Sequence, residues 1–254
     1  MAQRYGPKVV NDELKLCIDA AVSRSYGGSG TTINNLVTNI NNPITMVAST
    51  TWSSDGYWSF DGSGEPDGNP TGSYLTGFGG AGGLCSTDQY ANGATYTWWS
   101  RVTDNTYAGQ AFLYGSSTIA HVEFKSLNDT TPYFRTEASR DNGYSFGSGN
   151  IPGGSLLNRW ANFALVFDNS ASPRTVKWYH NGSLFHTHSN FDSGDFTTTE
   201  YFYLNHLCRA TGTANYSYNY SFAGDVANFS FFGKALNADE VAQNFEVLRS
   251  RLGV

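Results

Sequence analysis

Three groups of side chains in this 254-residue chain have types and spacing that suit chemistry. "TANYSYNYSF", residues 213–222, sets Tyr216, Tyr218 and Tyr220 at alternate positions. On a strand, that spacing puts three phenol rings on one face. Aromatic faces stack on pyranose rings while neighbouring Asn and Asp bond sugar hydroxyls. The row suits equally well a half-buried strand or a subunit contact, where Tyr is enriched. "DGSGEPDGNP", residues 61–70, alternates oxygen side chains at Asp61, Ser63, Glu65, Asp67 and Asn69. Such a loop can wrap calcium, with Asp61, Glu65 and Asp67 supplying the charge. Against that, Pro66 stands where an EF-hand loop needs its Gly, and acidic Gly-rich turns are commonly just solvated. His186 and His188 lie two apart and share a strand face, but zinc needs a third ligand and none is near in sequence.

Other catalytic constellations are missing. A retaining glycosidase needs two carboxylates roughly 5–5.5 Å apart, which a jelly roll supplies from an E-x-D-x-x-E strand. The chain has no such run: Glu123 has no acidic partner two positions away, and Glu137 and Asp141 are four apart. P-loop and Cys-x-x-Cys patterns are also absent. The expectation is a non-enzyme without a cofactor, calcium at Asp61 being the one candidate.

Composition narrows the partners. Only 14% of residues are charged, against roughly 25% in an average globular protein. Solubility must come from Ser, Thr, Asn and Gly, a surface suited to glycans and to other proteins. Net charge −6 and the absence of a Lys/Arg cluster exclude a nucleic-acid footprint. No run approaches the ~18 apolar residues of a membrane span, and "MAQRYGPKVV" lacks the apolar core of a secretory signal. Cys17, Cys85 and Cys208 are odd in number and widely spaced, so they read as buried thiols.

The elements that must position these groups are strands. Residues 14–20, 94–102, 109–115, 119–126, 132–138, 159–168, 200–207 and 223–232 carry β-branched, aromatic and alternating patterns. In "RWANFALVFD" (159–168) neither alternating set is polar, which predicts burial on both faces. Asn181-Gly182 predicts a type I′ hairpin turn within 174–187. Trp98 and Trp99 must point to opposite faces. One helix closes the chain, with Asn237 as N-cap, Glu240 completing a capping box, Gly253 past its end, and Val241, Phe245 and Leu248 as its apolar stripe. About a dozen short strands without alternating helices predict an all-β antiparallel sandwich. Residues 1–12 form an N-terminal arm and residues 13–254 a single domain.

"FAGDVANFSFFGKALNADEVAQNF" resembles the closing strand, turn and helix of concanavalin A-like, laminin-G-like jelly rolls, with Phe222, Gly224, Val226, Phe229, Phe231, Phe232, Leu236, Glu240 and Val241 at the pattern positions. "KWYHNGSLF" is similar to the family's Y-V-N-G hairpin through Tyr179, Asn181 and Gly182. "WANFALVFD" is similar to its W-x-H-V-A-x-V-Y-D strand through Trp160, Phe163, Ala164, Val166 and Asp168, and "YWSFDG" to its Y-x-x-F-D-G strand. The stretch 14–32, through Leu14, Leu16, Asp19, Ala20, Ser25, Tyr26, Gly28, Ser29, Gly30, Thr31 and Thr32, resembles a head found on such domains in tailed-phage virion proteins; Glu13, Gly27 and Ile33 depart from it. The resemblance implies a concanavalin A-like jelly roll with one short C-terminal helix. It also implies a non-enzymatic bacteriophage virion protein: a homo-oligomer folded in host cytoplasm, decorating the capsid beside the major capsid protein or sitting on a tail or neck appendage, with weak contact to a host-surface glycan. A free or surface carbohydrate-binding lectin is the alternative, and a glycoside hydrolase a lesser one.

Overall fold

The computed structural model describes residues 8–37, 40–62, 72–79, 83–86, 90–106, 109–116, 119–125, 127, 131–137, 145–189, 204, 206–208 and 220–254. Along the chain these form β1 (Leu14–Asp19), β2 (Thr32–Ile33), β3 (Ile44–Val47), β4 (Thr51–Ser53), β5 (Tyr57–Asp61), β6 (Tyr74–Thr76), β7 (Ala94–Val102), β8 (Gly109–Ser116), β9 (Ile119–Lys125), β10 (Tyr133–Glu137), β11 (Ser145–Asn150), β12 (Trp160–Asp168), β13 (Thr175–His180), β14 (Ser183–Ser189), β15 (His206–Leu207), β16 (Tyr220–Ser221), β17 (Ala223–Phe232) and α1 (Ala238–Leu252). One sheet runs β14-β13-β12-β7-β17-β5-β4, with β1 also on β17; the other runs β11-β10-β9-β8-β15-β6-β3-β2, with β16 on β8. Strand pairing is antiparallel except between β16 and β8, which is parallel. The expected all-β, concanavalin A-like jelly roll with one short C-terminal helix is the observed fold. Of residues 200–207, expected as one strand, Leu204, His206 and Leu207 are described: His206–Leu207 form β15, and Leu204 lies outside it.

Alternation sorts the first sheet's side chains between two cores. On β12, Ala161, Phe163, Leu165 and Phe167 face the second sheet and join Trp58, Tyr96, Trp98, Phe124, Phe134 and Phe229 in the main core. Ala164 and Val166 point the other way, into a smaller cluster with Val10, Tyr179, Phe232, Leu236 and Val241. The first sheet is therefore the middle layer, and α1 covers part of its outer face. Each large side chain taken fully from water contributes about 1.5–3 kcal/mol, which is why strands with no polar face are stable here. Trp98 and Trp99 split as expected: Trp98 stacks on Phe112 in the main core at 4.9 Å, and Trp99 stacks on Phe245 of α1 at 5.5 Å and 14°.

A register shift between Val226 and Asn228 lets one edge of β17 serve two partners. Residues 223–226 pair with β5, and residues 228–232 pair with β1. The carbonyl of Ala227 accepts the Ala20 N–H at 2.9 Å as β1 ends. This is the use expected of a bulge: it bends the strand and redirects the residues beyond it.

The helix begins and ends as its sequence demands. Asn237 Oδ1 accepts the Glu240 N–H at 3.0 Å, Glu240 Oε2 accepts the Asn237 N–H at 3.0 Å, and Gly253 takes φ 74°. Arg251 does more than balance the helix dipole: its Nη1 donates to both Asp19 carboxylate oxygens at 2.9 Å, tying the helix end to β1. Residues 8–12 of the N-terminal arm lie along this helix. Asn244 Oδ1 accepts the Val10 N–H at 2.8 Å, and Gln243 Nε2 donates to the Lys8 carbonyl at 2.6 Å. Cys85 and Cys208 are buried free thiols, and Cys17 is partly exposed. No helix among the described residues is long and apolar enough to cross a membrane.

Candidate functional site

Register carries one row of side chains across the middle sheet. Trp160 of β12 stands opposite Arg101 of β7, Arg101 opposite Asp225 of β17, Asp225 opposite Ser59 of β5, and Ser59 opposite Thr51 of β4. Arg101 lies two residues beyond Trp99, so it projects from the outer face, away from the main core. Trp160, Arg101, Ser59 and Tyr57 keep partial exposure, so the helix leaves this row open to solvent.

The row is held rigidly. Arg101 donates to Asp225 Oδ2 through Nε at 2.9 Å and Nη2 at 2.6 Å, and Ser59 Oγ donates to Asp225 Oδ1 at 2.6 Å. The Asp225 side chain is 6% exposed and that of Arg101 is 27% exposed. A carboxylate this buried needs a charged partner, and the guanidinium meets the requirement with charge-assisted bonds. The guanidinium lies 4.9 Å from the ring centre of Trp160 and 5.2 Å from that of Tyr57; the rings are 5.9 Å apart at 59°. Both distances lie within the reach of cation–π attraction. Beside the row, Gly224 permits the close approach of β17 to β7: a Cβ there would fall 2.3 Å from the Arg101 carbonyl oxygen.

Two half-exposed rings around a fixed donor group can hold a pyranose, with C–H faces on the rings and hydroxyls on Arg101, Ser59 and Thr51. Asp225 already accepts from Arg101 and Ser59, so its oxygens are engaged within the row. The other buried carboxylate on this face, Asp19, is occupied by Arg251. A hollow of about 190 Å³ lies between the same sheet and α1, lined by Cys17, Asp19, Trp99, Asn162, Asn228 and Asn244 among others. Of its polar groups, Asn162 Nδ2 bonds the Trp98 carbonyl and Asn228 Nδ2 the Ile18 carbonyl, so both serve the sheet.

The residues singled out in the sequence fall elsewhere. Tyr216 and Tyr218 lie outside the described residues; Tyr220 begins β16, opposite Gln110 of β8. Asp61 ends β5. Its carboxylate accepts the hydroxyls of Ser49 and Ser73 (the latter at 2.7 Å), and its N–H donates to Ser73 Oγ at 2.8 Å. Asp61 thus meets two serines that pin β5 to its neighbours, while Glu65 and Asp67 lie outside the described residues. Glu123 stands opposite Arg135, and Glu137 opposite His121. His186 and His188 are half-buried on β14; burial, and then the neighbouring His188, lower the pKa of His186. Among the described residues, no three His, Cys, Asp or Glu side chains are grouped to hold a metal.

The sequence reading missed the row because its members are scattered along the chain and only register unites them. One signal was present: Asp225 is the lone charge in "AGDVANFSFF", a strand buried at all ten positions. A carboxylate in such a strand demands a cation on the neighbouring strand.

Comparison with known proteins agrees with this architecture. The chain resembles the binding domain of botulinum neurotoxin DC in complex with SialylT, at TM-score 0.62 and 10% identity, over 94% of this chain and 52% of that one. The botulinum neurotoxin serotype D binding domain gives TM-score 0.62 and 11% identity over 94% and 52%. Trypanosoma rangeli sialidase in complex with sialic acid gives 0.61 and 12% over 94% and 33%. The chain thus spans about half the length of the toxin domains and a third of the sialidase, and identity this low speaks for the fold alone. No curated protein matches the sequence. Residues 78–242, more than half of the chain, match the laminin-G-like model of the concanavalin A-like lectin/glucanase superfamily, and the chain belongs to that superfamily.

Proposed function

We propose that this domain is a non-catalytic, lectin-like carbohydrate-binding module. The observation that carries the reading is the open row of Trp160, Arg101, Asp225 and Ser59 with Tyr57 leaning over it. Support comes from the superfamily and from structural neighbours that include a toxin binding domain in complex with SialylT and a sialidase in complex with sialic acid. The virion role expected from residues 14–32 draws less support. Part of that stretch serves the chain's own fold: Ser25 Oγ accepts the Asp19 N–H and donates to the Asn34 carbonyl, Tyr26 donates to the Gly30 carbonyl, and Tyr26 packs on Trp52, while residues 27–32 are exposed. The described part of the N-terminal arm binds this chain's own helix.

The test is a glycan array with the purified domain, beside Trp160→Ala and Tyr57→Ala. Selective binding by the parent, weakened at least about tenfold in Trp160→Ala at an unchanged melting temperature, is the expected result; tenfold corresponds to about 1.4 kcal/mol. A parent that binds no glycan overturns the reading. Release of reducing sugar would make the domain a glycanase; none is expected.

A further inference from the structure

We infer that the row selects uncharged glycans and rejects those ending in an acidic sugar. This rests on carbohydrate binding at the row, as proposed above. The ion-pair geometry carries it. Recognition of a sugar carboxylate by charge needs a cation free to pair, and Arg101 is the cation held between the two half-exposed rings. Its charge is already matched: Nε and Nη2 both donate to Asp225 Oδ2, and Ser59 holds the second oxygen. The pair presents no net charge to a ligand. A carboxylate arriving at the guanidinium meets the Asp225 carboxylate directly behind it. Drawing Arg101 away would leave a carboxylate only 6% exposed without its partner, the costly way to break a buried pair. The chain's net charge of −6 adds repulsion at low salt, which fades beyond a screening length of about 10 Å.

An uncharged sugar meets none of these costs. A guanidinium has five N–H donors in a fixed plane; Asp225 engages its Nε and Nη2 edge, and the remainder can donate to hydroxyl oxygens. The lone pairs of Ser59 Oγ and the hydroxyl of Thr51, next in the row, accept or donate as the ligand requires. The two rings take the C–H faces. Arg101 therefore acts as a neutralised, rigid donor plate rather than as an anion trap.

The experiment compares neutral oligosaccharides with sialylated and uronic-acid oligosaccharides, using the full chain and Asp225→Asn. The substitution keeps the side-chain size and an oxygen for Ser59, but leaves the Arg101 charge unmatched. The parent is expected to bind neutral glycans with an affinity that changes less than about twofold with salt, because screening acts on net charge. Asp225→Asn is expected to gain acidic-glycan binding by about tenfold or more, weakened by salt, and Asp225→Asn with Arg101→Gln to lose that gain. A parent that prefers acidic glycans overturns this inference and leaves carbohydrate binding standing. A folded Asp225→Asn protein that gains nothing also overturns it. Should Asp225→Asn not fold, the parent's own neutral-against-acidic ratio and salt response decide the matter. A parent that binds neither class fails the proposed function itself, and this inference with it.

Discussion

His180 shows how a single buried side chain links this fold to pH. It ends β13 with its ring stacked on Phe163 at 5.2 Å. Burial, and then the nearby Arg159 charge, lower its pKa from 6.5 to about 4. Between those values the unfolded chain binds a proton that the folded one refuses, so stability rises with pH across that window. The contribution is fully present above pH 6.5 and is lost as pH falls towards 4, on the order of 2–3 kcal/mol. Replacing His180 with Gln should remove this share of the acid sensitivity. Urea midpoints at neutral pH and near pH 4.5 check it: parent and variant should diverge as pH rises, and parallel curves would show that His180 titrates normally. Asp225 and Asp19 are buried carboxylates, each paired with an arginine from another element. Losing one partner alone is costlier than losing both.

At the scale of elements, the β13–β14 hairpin and α1 are built against each other. Asn181 and Gly182 take φ 48° and 76°, the two positive values that a type I′ turn requires. Gly182 has a second duty: a Cβ there would lie 3.1 Å from Phe245 Cδ1 and 3.2 Å from its Cβ. Gly182→Ala should therefore cost more than its turn strain alone, about 1–3 kcal/mol in total. Phe245 would be pushed from its stack on Trp99. Asn237→Ala, which removes only a cap, should cost about 1 kcal/mol. In a double-mutant cycle, Gly182→Ala with Phe245→Ala should cost less than the sum, because the truncated ring no longer obstructs the new methyl. Strict additivity in chemical denaturation would show that the turn and the helix do not touch as described. The capping box and the hairpin turn were legible because each is written in adjacent residues. The grip of Asn244 on Val10 and of Arg251 on Asp19 was not, since those partners are 234 and 232 positions apart.

For the whole molecule, the middle sheet has to satisfy two different surfaces with one set of strands. Its inner face was readable from apolar periodicity, and the absence of a polar set in β12 announced that its outer face was covered as well. What covers it, and where the cover stops, depends on register, and neither periodicity nor propensity encodes that. Hence Trp160 was visible as a strand residue but not as the neighbour of Arg101, and Tyr57 not as the partner of Trp160. The boundary has a consequence for stability. Over one part of the outer face, Ala164, Val166, Phe232 and Val241 make an apolar cluster that exists only while α1 is docked. Over the next part, half-exposed rings and a neutralised ion pair face the solvent. A chain ending at Leu236 would bare Trp99 and take Val241 from the cluster around Val166 and Phe232, exposing apolar surface of the kind that drives association. It should accumulate as aggregate, whereas Trp160→Ala, at the open row, should elute and melt with the parent. Size-exclusion chromatography of both makes the comparison. A truncated chain that elutes as a monomer with the parent's β-sheet spectrum would show that the helix is an accessory to this sheet and not its third layer.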